Sequence, residues 1–556
     1  MDLLTVENLT FTYPLGTAPA VRDLSFSVRA GDFAVLCGAT GSGKSTLLRL
    51  LKRELAPLGE KTGRVLYRGT PVEDLPAAVS ARSVGFVMQM PEQQIVTDKV
   101  WHELAFGLEN LGVPEPEIAR RVAEMASYFG IEGWYDQNTA QLSGGQKQLL
   151  NLAAVMAMDP DILILDEPTA QLDPIAASDF IATLQKLNRD FSLTVLVAEH
   201  RLEELIPACD RLLVMENGRM THDGGPRDVI AEMAEDDALL PAMPTAPRLA
   251  RAFGLTEDCP LSVREGRRFL GERFSNRVRS LPVEKPAAEP QKSPALEFRD
   301  VCFRYDRDAP DVLHSLSLTV YEGEIFCVLG GNGSGKTTSL GCAAGLLRPY
   351  AGSIRVFGRK LKDYRNQSLY RDCLALLPQD VGTLFLRPTV REELEDARAA
   401  GEKLPFDLTP LYDKHPYDCS GGEQQLVALA KVLATHPRLL LMDEPTKALD
   451  AGRKREIARI LKELQSRGVT VVVVTHDVEF AAVAADRCAL FFRGSVVSVD
   501  SPDAFFGENR FYTTAACRMS RGFYDRAVTL EALKALCRLN GPAEADPADR
   551  EEGAPC

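Results

Sequence analysis

Two lysines of this chain stand where a lysine can meet a phosphate. Lys44 lies in Gly38-Ala39-Thr40-Gly41-Ser42-Gly43-Lys44-Ser45-Thr46, and Lys336 in Gly330-Gly331-Asn332-Gly333-Ser334-Gly335-Lys336-Thr337-Thr338. Both runs fit G-x-x-x-x-G-K-[ST], in which backbone N–H groups and a helix N-terminus converge on phosphate oxygens. The lysine neutralises the β- and γ-phosphates, while Ser45 or Thr337 offers a hydroxyl to Mg2+. Asp166 and Asp443 each end a run of four apolar residues, where a carboxylate at a strand tip can hold Mg2+ directly or through water. The next residues, Glu167 and Glu444, stand free of the metal and are placed to act as general bases on an attacking water. Taken alone, an Asp-Glu-Pro could simply cap a strand; beside a phosphate loop in both halves, chemistry is the stronger reading. His200 and His476 close further β runs at 34 residues (200 − 166) and 33 residues (476 − 443) past the acidic pair. That repeated spacing points to a γ-phosphate contact.

These residues need strands and helices to position them. Each phosphate loop follows an apolar stretch that reads as a strand, Phe33 to Cys37 and Ile325 to Leu329. The lysines are 292 residues apart (336 − 44), the aspartates 277 (443 − 166), and Gln89 precedes Gln379 by 290. A repeat this long means two homologous domains and no solenoid. The only large loss of register falls between the glutamine and a Ser-Gly-Gly, so the second copy is shorter there. Strands and helices alternate in each copy, which predicts an α/β core with a mainly parallel sheet. Between the glutamine and the Ser-Gly-Gly the pattern turns helical (Asp98 to Phe129), which predicts an inserted helical subdomain.

The expected boundaries are 1–235 for the first domain, 236–294 for a linker, 295–525 for the second domain and 526–556 for a tail. In the linker, Arg264, Arg267, Arg268, Arg273, Arg277 and Arg279 are expected on a solvated helical face, followed by a Pro-rich tether over 282–294. The tail after Asn540 has the composition of a disordered segment. A length of 556 residues with 45% hydrophobic content suits several domains. No apolar run is long enough to span a membrane, and Leu3-Leu4-Thr5-Val6 reads as a strand, with no signal-peptide pattern. The twelve cysteines are scattered, and Cys37 and Cys327 fall in core strands. A net charge of −14 opposes nucleic-acid binding.

The order phosphate loop, Gln, Ser-Gly-Gly, Asp-Glu, His resembles the ATP-binding cassette (ABC) ATPases over nearly all of both copies. The resemblance implies two tandem P-loop NTPase domains, each with a mainly parallel sheet core, an antiparallel β part and the helical insertion. It also implies that Tyr13 and Tyr305 stack on adenine and that Gln89 and Gln379 sense Mg2+ and the γ-phosphate. Ser143-Gly144-Gly145 and Ser420-Gly421-Gly422 would each complete the other copy's site, so both ATP sites would form within one chain. Departures from the family pattern are Cys419 for Leu, Glu423 for Gln and Leu149-Leu150 where many relatives carry Arg. The loops ending in Asp173 and Asp450 also differ, so unequal hydrolysis rates are expected.

Within that family, Pro91-Glu92-Gln93-Gln94 after Gln89, and Ala105 to Asn110, resemble the ATPases of energy-coupling factor transporters. So does the stretch from Phe511 to Arg521. Leu142 to Leu152 and Glu199 to Glu204 resemble the subgroup that fuses both ATPases. This resemblance implies ATP hydrolysis with Mg2+ at the cytoplasmic face of a prokaryotic plasma membrane. It also implies two membrane partners, a transmembrane coupling subunit and a substrate-binding subunit, that import a vitamin or metal micronutrient. The surface from Gln89 through Pro91, Glu92, Gln93 and Gln94 is the expected contact with them, although Pro-Glu-Gln-Gln could also be an ordinary exposed turn. A sugar or nucleoside importer ATPase and a soluble translation-associated protein are the alternatives. Intact site residues in both copies oppose the first, and the acidic charge and Pro-rich linker oppose the second. An iron–sulfur cassette protein would need an N-terminal cysteine block, which the sequence lacks.

Overall fold

The computed structural model describes residues 2–14, 16, 18–237, 239–274, 280, 293–364, 368–371, 373–395, 404–447, 449–524 and 526–541. The chain divides into two compact units, Met1–Pro244 with Lys447–Gly452, and Thr245–Thr446 with Arg453–Cys556.

In unit 1, β1 (Asp2–Thr12), β2 (Val21–Arg29), β4 (Glu60–Tyr67) and β5 (Thr70–Pro71) form an antiparallel sheet in the order β2-β1-β4-β5. A second sheet of six strands runs β10-β9-β3-β8-β7-β6. Its members are β3 (Phe33–Cys37), β6 (Val84–Val87), β7 (Ile162–Asp166), β8 (Thr194–Ala198), β9 (Arg211–Glu216) and β10 (Arg219–Gly224). All neighbours pair in parallel except β9 and β10. Every residue of β3, β7 and β8 is buried, which is why these strands read as unbroken apolar runs. Leu4, Phe11, Phe26, Leu36, Leu47, Ile164 and Leu196 belong to one core that joins both sheets.

Sheet order places the site. Because β8 lies between β3 and β7, and β6 flanks β7, four loops leave adjacent strands at one carboxyl edge. They are the phosphate loop after β3, His200 after β8, Glu167 after β7 and Gln89 after β6. Ligands of open parallel sheets bind at that edge. The helices of unit 1 begin with α1 (Lys44–Leu50), which follows the phosphate loop directly. After a short helix at Ala77–Ser83 come α2 (Val100–Asn110) and α3 (Glu115–Tyr128), the predicted helical insertion. Then α4 (Gly144–Ala157) starts at the Ser-Gly-Gly, and α5 (Pro174–Phe191) follows the Asp-Glu turn. Asp173 fixes the start of α5 by accepting from the Ile175 and Ala176 amides at 3.1 and 2.9 Å, as an N-cap aspartate before proline should.

Unit 2 repeats this plan. One sheet runs β12-β11-β14-β15 and the other β16-β17-β18-β13-β19-β20. The first comprises β11 (Pro294–Phe303), β12 (Leu313–Tyr321), β14 (Ala351–Val356) and β15 (Arg359–Lys360). The second comprises β13 (Ile325–Leu329), β16 (Leu374–Leu377), β17 (Leu439–Asp443), β18 (Thr470–Thr475), β19 (Arg487–Phe492) and β20 (Ser495–Asp500). The region equivalent to α2 and α3 holds a short helix, Val390–Glu393, and the turn Thr409–Leu411, with 396–403 outside the described residues.

Unit 2 also contains a small helical core that the linker and tail composition did not suggest. Helices α6 (Thr245–Arg251) and α7 (Val263–Phe274) come from the linker. The others, after α8 (Lys336–Ala343) and α9 (Gly421–Leu433), are α10 (Ala515–Ser520) and α11 (Leu530–Asn540) near the C-terminus. Leu249, Phe269, Leu270, Phe274, Met519, Leu533 and Leu536 share one buried cluster. The tail beyond 525 is thus partly a packed helix, because α11 buries Leu533, Leu536 and Cys537. Arg264, Arg267, Arg268 and Arg273 are exposed on α7 as expected. Arg277, Arg279, the tether up to residue 292 and the stretch 542–556 lie outside the described residues. Among the described residues, no helix is long and apolar enough to cross a membrane.

Candidate functional site

Gly43 caps α1 with φ of 99°, and a side chain there would meet the Ala20 carbonyl at 2.3 Å. Only glycine tolerates both demands. The turn delivers Lys44, buried, with its Nζ donating to the Gly38 and Ala39 carbonyls at 2.9 and 3.1 Å. Burial pushes the Lys44 ammonium below its usual pKa, against the opposing pull of Glu167. Ser45 Oγ donates to Asp166 Oδ1 at 2.8 Å, joining the phosphate loop to the tip of β7. Burial pushes the Asp166 carboxyl up to about 6; the Ser45 hydrogen bond opposes this and the neighbouring Glu167 charge adds to it.

Glu167 is the hub of the unit 1 site. Gln89 Nε2 donates to its Oε2 at 2.9 Å, and His200 Nε2 lies 3.0 Å from its Oε1. Burial acts to raise the Glu167 pKa, but the His200 contact and the Lys44 charge outweigh it and hold the carboxyl below its ordinary range. Glu167 and Glu444 both adopt left-handed backbone, at φ of 45° and 49°. Such conformations cost on the order of 1–3 kcal/mol and persist where the surroundings enforce them.

Unit 2 assembles the same set with different bonds. Lys336 Nζ donates to the Gly330 and Gly331 carbonyls, both at 2.9 Å, and Thr337 Oγ1 to Asp443 Oδ1 at 3.2 Å. His476 approaches Glu444 Oε2 through Nδ1 at 2.9 Å and through its backbone N–H at 3.3 Å. Gln379 is exposed and makes no side-chain hydrogen bond among the described residues.

The structure also places the remaining predicted residues. Tyr13 and Tyr305 are 39% and 62% exposed, and their hydroxyls bond to Thr46 and Thr338 at 3.0 and 3.1 Å. Each ring therefore stands beside the first turn of its own phosphate-loop helix, edge-on to Phe11 or Phe303. Among the described residues, Ser143 and Ser420 make no hydrogen bond to the phosphate loop of their own unit. Each caps its helix reciprocally, Ser143 with Gln146 and Ser420 with Glu423. Glu423 fills the third helical position as well as Gln146 does, which accounts for that departure. Above Gly144 and Gly421 a Cβ would meet nothing within 4 Å, so this surface is open.

The segment after Gln89 differs from the exposed surface expected of it, and Gln148, Asn151 and Glu199 were missed. Gln94, expected to face a partner, folds inward: it accepts from Met88 N–H at 2.9 Å and donates to the Phe86 carbonyl at 3.0 Å. Glu92 is exposed but pairs with Lys147 of α4 at 2.9 Å. Gln148 and Asn151 of α4, both buried, donate to the Met88 and Pro91 carbonyls at 3.2 Å. The segment following Gln89 is therefore strapped to the helix that Ser143 caps. Buried amides one turn apart on α4 were a visible signal in the sequence. Glu199 was noticed only within a resembling stretch, yet it is buried against Thr169.

Comparison with known proteins bears on the family and the fold. The family described as ABC transporter matches residues 21–170 and 313–447. A candidate ABC transporter ATP-binding protein of Bacillus thuringiensis is 40% identical over 544 residues, covering 96% of this chain and 98% of that protein. One from Methanosarcina acetivorans is 33% identical over 538 residues, covering 90% of this chain and 86% of its own length. An archaeal ribosome recycling factor, solved with a ribosomal stalk protein, superposes with a TM-score of 0.57 over 89% of this chain and 90% of its own. At 20% identity that match bears on fold alone. With the family matched in both halves and a relative aligned end to end, this chain belongs to the ABC transporter ATP-binding proteins, as two tandem ABC ATPase domains in one polypeptide.

Proposed function

We propose that the chain is the ATP-hydrolysing subunit of an energy-coupling-factor type importer, driving uptake of a vitamin or metal micronutrient through separate membrane subunits. It would work at the cytoplasmic face of a prokaryotic membrane. The observation that carries the hydrolytic part is the convergence of Lys44, Asp166, Glu167, Gln89 and His200, and of their counterparts in unit 2, at the edge of each parallel sheet. What supports an importer is the resemblance of Pro91 to Gln94, of which Glu92 and Gln93 are exposed while Pro91 and Gln94 are not, together with the exposed apolar side chains Met90, Val96, Trp101 and Phe106. Exposed apolar groups on the stretch that follows Gln89 suit docking of a partner.

Each side chain then has a task. Lys44 and Lys336 exchange their loop carbonyls for phosphate oxygens. Tyr13 and Tyr305 offer ring faces to adenine, and each Ser-Gly-Gly presents a hydroxyl and open backbone to the other copy's nucleotide. The oxygen donors Ser45, Asp166 and Gln89, and Thr337, Asp443 and Gln379, suit a hard cation, and Ser45 and Asp166 already converge within 2.8 Å. Bound there, Mg2+ would neutralise charge on the β- and γ-phosphates. Glu167 and Glu444 take the proton of the attacking water. His200 and His476 hold those carboxylates and reach toward the γ-phosphate. Gln89 links that state to the strapped segment and so to α4.

Copurification of the tagged chain with its membrane partners, followed by identification of the bound small molecule, tests this reading. Recovery of two membrane proteins and a micronutrient is the expected result. A chain that hydrolyses ATP but recruits only soluble translation components would overturn the importer.

A further inference from the structure

Glu199 immediately precedes His200, and Thr475 occupies the same place before His476. Glu199 is 2% exposed, and both of its oxygens are engaged. Oε1 accepts from the Thr169 amide at 2.8 Å and the Thr169 hydroxyl at 2.6 Å. Oε2 accepts from the His200 amide at 2.9 Å and the Arg201 amide at 3.4 Å. Thr169 lies two residues past Glu167, so one buried carboxylate ties the turn bearing Glu167 to the turn bearing His200. Such a carboxylate, saturated by donors, behaves as a rigid clip.

Thr475 is too short to make this bridge. Its hydroxyl accepts from the Asp477 amide at 3.0 Å and reaches no part of Thr446, the counterpart of Thr169, among the described residues. The two units then differ in what the histidine amide does. In unit 1 that amide is taken by Glu199, which leaves Glu167 Oε2 to Gln89 and Oε1 to His200 Nε2. In unit 2 the histidine amide and Nδ1 both fall on Glu444 Oε2, and Gln379 is not engaged.

We propose that Glu199 is a positioning residue that keeps Glu167 suspended between Gln89 and His200, and that its replacement by Thr475 leaves Glu444 drawn onto the His476 backbone. The site containing Lys44 is then the faster of the two. This rests on the reading of Glu167 and Glu444 as the general bases.

The test is steady-state ATP hydrolysis by the full chain carrying Glu199→Thr or Glu199→Gln, with melting temperature as the check on folding. Misplacement of a reacting group by about 1 Å costs on the order of 10²-fold, so kcat should fall by about tenfold or more. The KM for ATP should stay near that of the unaltered chain, because the phosphate loop is untouched. Glu199→Gln preserves shape while setting an amide against donors, and so guards against a misfolded threonine variant. Thr475→Glu should raise kcat, a gain that mere destabilisation cannot produce. Folded Glu199 variants with unchanged kcat, or with raised KM alone, would overturn the proposal, as would a folded Thr475→Glu without gain. Glu167→Gln, run in parallel, separates the two claims. If it too leaves turnover unchanged, the base assignment fails; if it stops turnover while both Glu199 variants run normally, only the role of Glu199 fails.

Discussion

The side-chain amide of Gln89 donates to the Glu167 carboxylate at 2.9 Å, whereas Gln379 makes no matching bond to Glu444. In unit 1 the proposed sensor and the proposed base are thus directly hydrogen-bonded. The two units carry the same residue types at these positions but hold them in different hydrogen-bonded arrangements.

Removal of each base should therefore have unequal effects. Glu167→Gln and Glu444→Gln should each trap ATP, and the double variant should lose about 10²–10⁴-fold in turnover, the usual cost of a general base. Steady-state hydrolysis of the two single variants is the measurement, and different residual rates are the expected outcome.

Gln94 should matter to stability more than to partner binding. Gln94→Ala removes bonds to the Met88 amide and the Phe86 carbonyl, at about 1 kcal/mol each. Thermal unfolding should shift downward for Gln94→Ala and stay unchanged for the exposed neighbour Gln93→Ala. Partner contact is better probed through Trp101→Ala and Val96→Ser, which should weaken copurification with a membrane subunit while basal hydrolysis persists.

Asp477 gives unit 2 a dependence on acid. Its carboxylate caps the helix Val478–Ala484 by accepting from Phe480 N–H at 3.0 Å, and Lys454 lies 2.6 Å away. Burial alone would raise its pKa, but the Lys454 charge and these bonds hold it down at about 2. A depressed carboxyl contributes stability above its unfolded pKa of about 3.9, lost as pH falls through the folded value of about 2. The contribution is about 2 kcal/mol near neutrality. Denaturant unfolding of Asp477→Asn should show a deficit of that order at pH 6, narrowing progressively below pH 4.

The helical core shared by the linker and the C-terminal helix should act as a structural element of unit 2. Leu270 and Leu533 are fully buried in it. Either leucine changed to alanine should cost about 2–5 kcal/mol. Calorimetry should show a lowered transition, with nucleotide affinity at the phosphate loops unchanged.

The contrast between these residues explains what could be read from the sequence. Lys44, Ser45, Asp166 and Glu167 are legible because phosphate chemistry needs those types at short spacings, and because buried parallel strands announce themselves as apolar runs such as Ile162–Asp166. Gln94 looked like a surface residue because nothing local reveals a side chain folded back onto the strand before it. Glu199 reads as one acid among the charges of Glu199 to Glu204, since its partner Thr169 is thirty residues away. The helical core was invisible for the same reason on a larger scale: Leu249 and Leu533 meet only in the folded chain. The departure Glu423 needed the capping geometry before it became neutral.

On the proposed reading, one polypeptide carries two nucleotide sites. Equilibrium binding of ATP with Mg2+ to the purified double variant Glu167→Gln with Glu444→Gln, which should hold nucleotide without consuming it, tests this most directly. Two nucleotides bound per chain are expected, falling to one when either Lys44 or Lys336 is changed to alanine. Saturation at a single nucleotide per chain would contradict it.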